Sequence, residues 1–430
     1  MAEQNTGAGS RNQFVDIMRG IAMLLVVLGH TMTGCTTGAE TSFLFNIVWS
    51  LQMPLFILIS GYVTRYSRGI ADGVALWKYV KRRTVSYLLP WVIWSFVIRG
   101  FIFGKADFLN IRWLLWHMDS GYWFLATIWT ISMIFGISTL VASKVAKGSA
   151  VKQQVFTLII YIVGMAVLAG IGLVAGLSFF AIKLTLYYMP FYFAGYLYGQ
   201  YRDKILLMRW GKTTIDVVVA VCLAAWLFIM IRFQLYALPD SGTAIILRAA
   251  SSITGCIAVC GLCKGLFDVA PKPLGGGYSK DRNSGHRHIP DSRLSADTIQ
   301  DGGHAVLSDS LGQAVGVWQY GNDNDYRGSD YYATGTEQIN PIDDTWKVAL
   351  EKRVGGVLLH WSGVHSLEIY LTHYLLLSLL KMVEPPIVGS IQGTALMVGN
   401  YVITMTLTVL TIKLLNTNKT LRLILFGSRG

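Results

Sequence analysis

Residues 14 to 30 read Phe14-Val15-Asp16-Ile17-Met18-Arg19-Gly20-Ile21-Ala22-Met23-Leu24-Leu25-Val26-Val27-Leu28-Gly29-His30. The run is apolar enough to lie in hydrocarbon, yet it holds three ionisable side chains. A spanning helix needs roughly 20 apolar residues, and a charged group inside one costs at least a few kcal/mol on insertion scales. Groups kept there at that cost are functional candidates. Arg19 and His30 lie eleven residues apart, which is about three helical turns, so they share a face and are separated by about 16 Å along the axis. Asp16 falls within about 40° of His30 on the same stripe. An Arg near one membrane surface and a His deeper in can line a single cavity. The plainer reading is a snorkelling Arg and a His bonded to a neighbouring helix.

The rest of the chain puts this helix in a membrane. Its 430 residues are 53% hydrophobic and only 14% charged, against roughly 25% charged in an average soluble domain. The mean hydropathy is +0.48. Apolar runs recur, and about ten spanning helices are expected, near 15–35, 44–64, 85–103, 122–142, 155–175, 179–199, 213–235, 244–265, 361–382 and 391–415. The Met32-Thr33-Gly34-Cys35 sequence at the end of the first run faintly resembles a lipoprotein cleavage box. Arg19 and His30 in that run, and the spans that follow, favour an uncleaved first helix.

A net charge of +12 does not imply nucleic acid, because the Lys and Arg sit in short clusters between apolar runs. Examples are Lys78, Lys81, Arg82 and Arg83, or Arg202, Lys204, Arg209 and Lys212. Such clusters face the cytosol by the positive-inside rule. The alternate connections hold Glu40, Asp240 and Glu384 and are poor in Lys and Arg. Both termini are then cytosolic in a multi-pass protein of the cell membrane. The five cysteines, Cys35, Cys222, Cys256, Cys260 and Cys263, lie in or beside apolar runs, without the spacing of a disulfide framework. Cys256, Cys260 and Cys263 share a face, but no His or carboxylate is near enough in sequence for zinc, so a helix interface of small residues accounts for them.

One stretch breaks the pattern. From Pro271 to about Trp346 the chain is rich in Gly, Asp, Ser and Asn, with eleven acidic against four basic residues between Asp281 and Asp344. This divides the chain into a transmembrane part over 1–267, a polar acidic insertion over 268–350 that helix parity puts in the cytosol, and a second transmembrane part over 351–430. Gly275-Gly276-Gly277 lacks the Lys-Ser/Thr of a phosphate loop, and His286-Arg287-His288 lacks a second ligand pair. A weakly ordered loop is the better reading. No metal is expected.

Late in the chain, Ser366, Tyr370 and His373 share a helix face by their spacing, while Glu368 points elsewhere and needs a partner inside the membrane. Its role is open between catalysis and a structural ion pair.

The Arg, ten residues, His pattern of the first helix, with Asp16 before it, resembles the membrane acyltransferase-3 family of envelope O-acyltransferases, fucose 4-O-acetylase-like proteins among them. Other blocks are similar in the same order. They are Leu51-Gln52-Met53-Pro54-Leu55-Phe56-Ile57-Leu58-Ile59-Ser60-Gly61-Tyr62, then Lys81-Arg82-Arg83 with Leu89-Pro90-Trp91, then Trp123-Phe124-Leu125, then Ser366-Leu367-Glu368-Ile369-Tyr370-Leu371-Thr372-His373. The resemblance spans about 15–265 and 360–415. Gln52 stands where many members have His, and the insertion is not part of the common pattern.

The resemblance implies an all-α core of ten membrane helices that takes an acyl group, acetyl above all, from cytosolic acyl-CoA. The acceptor would be a hydroxyl of an envelope carbohydrate or lipid-linked sugar. His30 suits general base or transient acyl carrier. Arg19 offers a planar cationic fork to a donor phosphate or the thioester carbonyl, Asp16 can orient either, and Glu368 completes the catalytic candidates. Arg82 and Arg83 stand where a phosphate-rich donor first meets the protein, although topology alone also explains them. Trp123 joins Arg82 and Arg83 as a candidate for binding the donor, lining the cavity, or it packs against a neighbour. Ser366, Tyr370 and His373 are candidates for holding the acceptor.

The rival from another class is a proton-coupled transporter or flippase of a small envelope precursor. It calls for interrupted helices at matching places in two halves of the chain, and no such symmetry is visible. A scaffold or sensor built around the insertion would leave His30 without a role.

Overall fold

The computed structural model describes residues 12–67, 69–118, 122–146, 149–269, 354–380 and 385–427. The acidic insertion, Glu384 and the last three residues lie outside these. Helices α1 (Gln13–Cys35), α2 (Phe43–Val63), α3 (Gly73–Ile102), α4 (Trp123–Val145) and α5 (Ala150–Ala175) follow in order. They continue with α6 (Ile182–Leu207), α7 (Gly211–Arg232), α8 (Gly242–Val269), α9 (Val354–Val364), α10 (Ser366–Leu379), α11 (Ile391–Leu415) and the short α12 (Lys419–Phe426). No strand occurs among the described residues, and one isolated parallel bridge, Thr37 to Ile387, ties the loop after α1 to the loop before α11. The fold is an all-α integral membrane protein.

Caps start these helices where the chain leaves water. The side chains of Asn12, Ser42, Asp72, Ser149 and Ser390 each accept a hydrogen bond from a first-turn backbone N–H, satisfying donors that a helix leaves unpaired.

Eight of the helices are long and apolar enough to cross a bilayer: α1 to α5, α7, α8 and α11. Two of the ten expected spans fall outside that set. Helix α6 has the length, at 26 residues, but six tyrosines, Pro190 and two glycines lower its hydropathy. The expected span at 361–382 is instead two helices broken at His365, whose backbone leaves helical geometry (φ −97°, ψ 21°). His365 N–H still donates to Trp361 O at 3.0 Å and Ile369 N–H to His365 O at 2.9 Å, so backbone bonding carries on across the kink.

Helix α3 is also irregular. π-helical turns at Thr84–Leu88 and Ile93–Ile102 flank the short α-helical piece that holds Pro90. A proline removes a backbone donor, and wider turns of this kind absorb the register change.

In α1, α2 and α4, 61 to 67% of the spanning window is buried, against 11 to 22% in α5, α7 and α11. The first three are therefore central, and the others show flanks of Ile, Val and Leu where lipid would lie. Small residues bring the central helices together. A Cβ on Gly61 of α2 would stand 1.9 Å from the carbonyl oxygen of Tyr192, and one on Gly195 of α6 would stand 1.9 Å from that of Leu58. The kinked α9–α10 runs parallel to α1 with contacts in register: His360 meets Asp16, His373 meets His30 and Leu377 meets Gly34. Gly20 and Gly363 allow this, since a Cβ on either would fall 2.0 Å or less from a carbonyl oxygen of the facing helix.

Candidate functional site

Near the Cys35 end of α1 a cavity of about 290 Å³ opens between α1, the start of α4 and α10. His30, Tyr122, Trp123, Tyr370, His373 and Tyr374 line it, with Thr33, Gly34, Leu377 and Ser378 completing the wall. Four side chains singled out from the sequence therefore meet here: His30, Trp123, Tyr370 and His373.

His30 and His373 face each other with ring centroids 5.5 Å apart. Tyr374 stands edge-on to His30 at 5.5 Å, and Trp49 does so at 6.1 Å. His373 is fully buried, and its Nδ1 lies 2.7 Å from the carbonyl oxygen of Ile369 one turn earlier. A carbonyl only accepts, so Nδ1 carries the hydrogen and Nε2 of the neutral ring is a lone pair. Nε2 has no protein partner among the described residues. Tyr122 donates to Leu371 O at 3.1 Å and packs edge-on to Tyr370 and Tyr374 at 6.0 Å each, which fixes the cavity wall. Trp123 both lines the cavity and stacks on Tyr188 at 5.6 Å with an interplanar angle of 11°.

The remaining candidates lie elsewhere. Asp16 is buried, 4.0 Å from Arg19 Nη1 and 3.7 Å from His360 Nε2, about four turns of α1 away from His30. Glu368 is buried too and contacts His365 Nδ1, Arg422 Nε at 3.5 Å and Asn416 Nδ2 at 3.3 Å. Ser366 is buried but is not part of the cavity wall. On α3, Arg82 is exposed, while Arg83 donates to Tyr87 Oη at 2.9 Å and lies over the ring of Tyr79 at 5.2 Å.

Sequence reasoning missed Tyr122, Tyr374, His360 and Arg99. Arg99 sits over the ring of Phe108 at 4.0 Å and that of Tyr374 at 5.3 Å, beside the cavity. The two tyrosines had no signal beyond their neighbours Trp123 and His373. Arg99, a lone cation late in an apolar run, was open to the argument applied to Arg19.

Comparison with known proteins identifies the family. The family model described as an acyltransferase domain, acyltransferase 3, matches residues 12–274, more than half of the chain. The nodulation protein NolL of Sinorhizobium fredii (strain NBRC 101917 / NGR234) is 26% identical over 214 residues, which cover 46% of this chain. The chain spans about half, 51%, of that relative's length. No solved structure matches the chain at a significant level. With its helical membrane core and the full match from α1 through α8, the chain belongs to the acyltransferase-3 family of transferases.

Proposed function

We propose that the protein is a membrane O-acyltransferase that moves a short acyl group, acetyl above all, from cytosolic acyl-CoA to a hydroxyl of an envelope carbohydrate or lipid-linked sugar. The observation that carries this reading is the cavity in which two histidines face each other among three tyrosines and Trp123. Transfer to a hydroxyl needs a group that takes its proton, and neutral imidazole does this near pH 7. A volume of about 290 Å³ is at the lower edge of small-molecule sites. It suits an acetyl group and part of one sugar ring better than a long acyl chain.

The donor reading rests on the other end of α1. Arg19 stands about 16 Å along the helix from His30, a separation that a thioester on a flexible pantetheine arm can cover. Arg82 and Arg83, in the basic first part of α3, would meet its phosphates first, with the termini on the cytosolic side. Asp16 orients Arg19, while Tyr370 and Trp123 hold the acceptor.

The test is transfer of labelled acetyl from acetyl-CoA to an envelope glycan fraction in purified membranes, read as base-labile ester. His30→Ala should lose about 100-fold to 10,000-fold in rate at an unchanged level of inserted protein. An inserted His30→Ala protein with near-normal transfer would overturn the mechanism, and the transporter reading would then lead.

A further inference from the structure

His373 and His30 differ in a way that divides the chemistry between them. The Nδ1 hydrogen of His373 is committed to the carbonyl of Ile369, a bond set by the helix itself, so its Nε2 is held as a lone pair whatever binds nearby. That atom is buried, without a protein partner among the described residues, on a ring that lines the cavity. His30 makes ring contacts only, with Trp49, His373 and Tyr374, and neither of its nitrogens is committed to a protein hydrogen bond among the described residues. No carboxylate pairs with either ring among the described residues, so no third group holds the proton for them.

We propose that His373 is the general base of the site and takes the acceptor hydroxyl proton at Nε2, while His30 serves the acyl donor. This rests on the acyltransferase reading and assigns the roles within it. The hydroxyl O–H bond breaks toward Nε2 of His373 as the oxygen forms its bond to the thioester carbonyl carbon. The C–S bond then breaks, and the thiolate leaves with the electron pair. The proton held on His373 passes across the 5.5 Å ring separation through His30 to that thiolate, which gives the ester and the free thiol and restores both neutral rings.

The experiment compares wild type with His373→Gln in membranes supplied with acetyl-CoA and the envelope acceptor, over pH 6 to 9. Glutamine fills similar space but cannot take a proton. The expected result is a fall in kcat of about 100-fold or more with the acetyl-CoA KM within about threefold. The variant's log rate should also climb with pH at a slope near one, as hydroxide replaces the lost base, where the wild-type rate levels off. A variant that keeps the wild-type plateau at a lower level, or whose loss lies in KM, would make His373 a structural or binding residue and overturn the proposal. If His373→Gln fails to accumulate, His373→Asn takes its place with the same readouts. Absence of transfer in the wild type with every acceptor fraction would instead sink the acyltransferase reading itself.

Discussion

Glu368 shows how an ionisable group inside a membrane helix finds its partners on other elements. Its carboxylate is buried and gathers His365, Arg422 and Asn416, which come from the α9–α10 kink, the start of α12 and the end of α11. Removing one side of a buried pair leaves the other charge uncompensated, at a cost of about 3 kcal/mol or more. Glu368→Ala should therefore lower the thermal unfolding midpoint in detergent by several degrees, while the protein that survives keeps a near-normal acetyl-CoA KM. A stable Glu368→Ala protein with no transfer would place the carboxylate in the chemistry instead. The sequence announced that Glu368 needs a partner, because its cost in hydrocarbon is local. It did not say which partner, since Arg422 lies 54 residues further along the chain. The Arg19 and His30 stripe has the same limit: helical periodicity gives angle but not depth, and three turns of separation put the two residues in different surroundings.

At the level of elements, the long apolar runs of α1 to α5, α7, α8 and α11 were legible because hydrocarbon leaves only one solution for their backbone. The kink at His365 was not, since no proline marks it within the run 354–379. Close packing gives a sharp test. Gly61→Val would put a branched side chain where even a Cβ stands 1.9 Å from the Tyr192 carbonyl oxygen. Separating α2 from α6 should abolish accumulation of monodisperse protein, whereas Gly69→Val, with nothing within 4 Å of its Cβ, should be tolerated. Size-exclusion profiles of the two would decide.

A second element-scale contact centres on Asp240 in the loop between α7 and α8, which joins Lys183 at 2.7 Å and Arg248 at 2.6 Å and so ties α6 to α8. The Lys183 hydrogen bond, followed by that of Arg248, holds the Asp240 carboxyl down to about 2. A lowered folded value means that the contribution is complete above the ordinary carboxylate range near 4 and is lost as pH falls through about 2. The carboxylate is half exposed, so no more than about 1 kcal/mol is at stake. Asp240→Asn should lower the unfolding midpoint slightly at pH 7, and the difference from wild type should close on acidification toward pH 2. A gap that stayed constant with pH would assign the effect to something other than this ion pair.

For the whole molecule, the direction of each helix decides which end of the cavity meets which side of the membrane. The α9–α10 pair runs parallel to α1, and counting it and α6 with the eight apolar spans gives ten crossings among the described residues. Ten is an even number, so a chain that starts in the cytosol also ends there. The loop between α7 and α8, with Asp240, then lies outside, as does the end of α1 nearest His30 and the cavity. Reporter fusions at Gly430 and Gly302 should both behave as cytosolic and one at Ser241 as external. An external signal at Gly302 would mean that α6 fails to cross. The weak point is well defined, because α6 is the long helix whose tyrosines lower its hydropathy and whose anchorage is the glycine contact with α2. If α6 did not cross, α7 and α8 would invert, Ser241 would report as cytosolic, and the basic clusters at 202–212 would face outward, against the positive-inside rule. The three fusions together separate a ten-span core, with donor and acceptor on opposite sides, from a nine-span one in which that division fails.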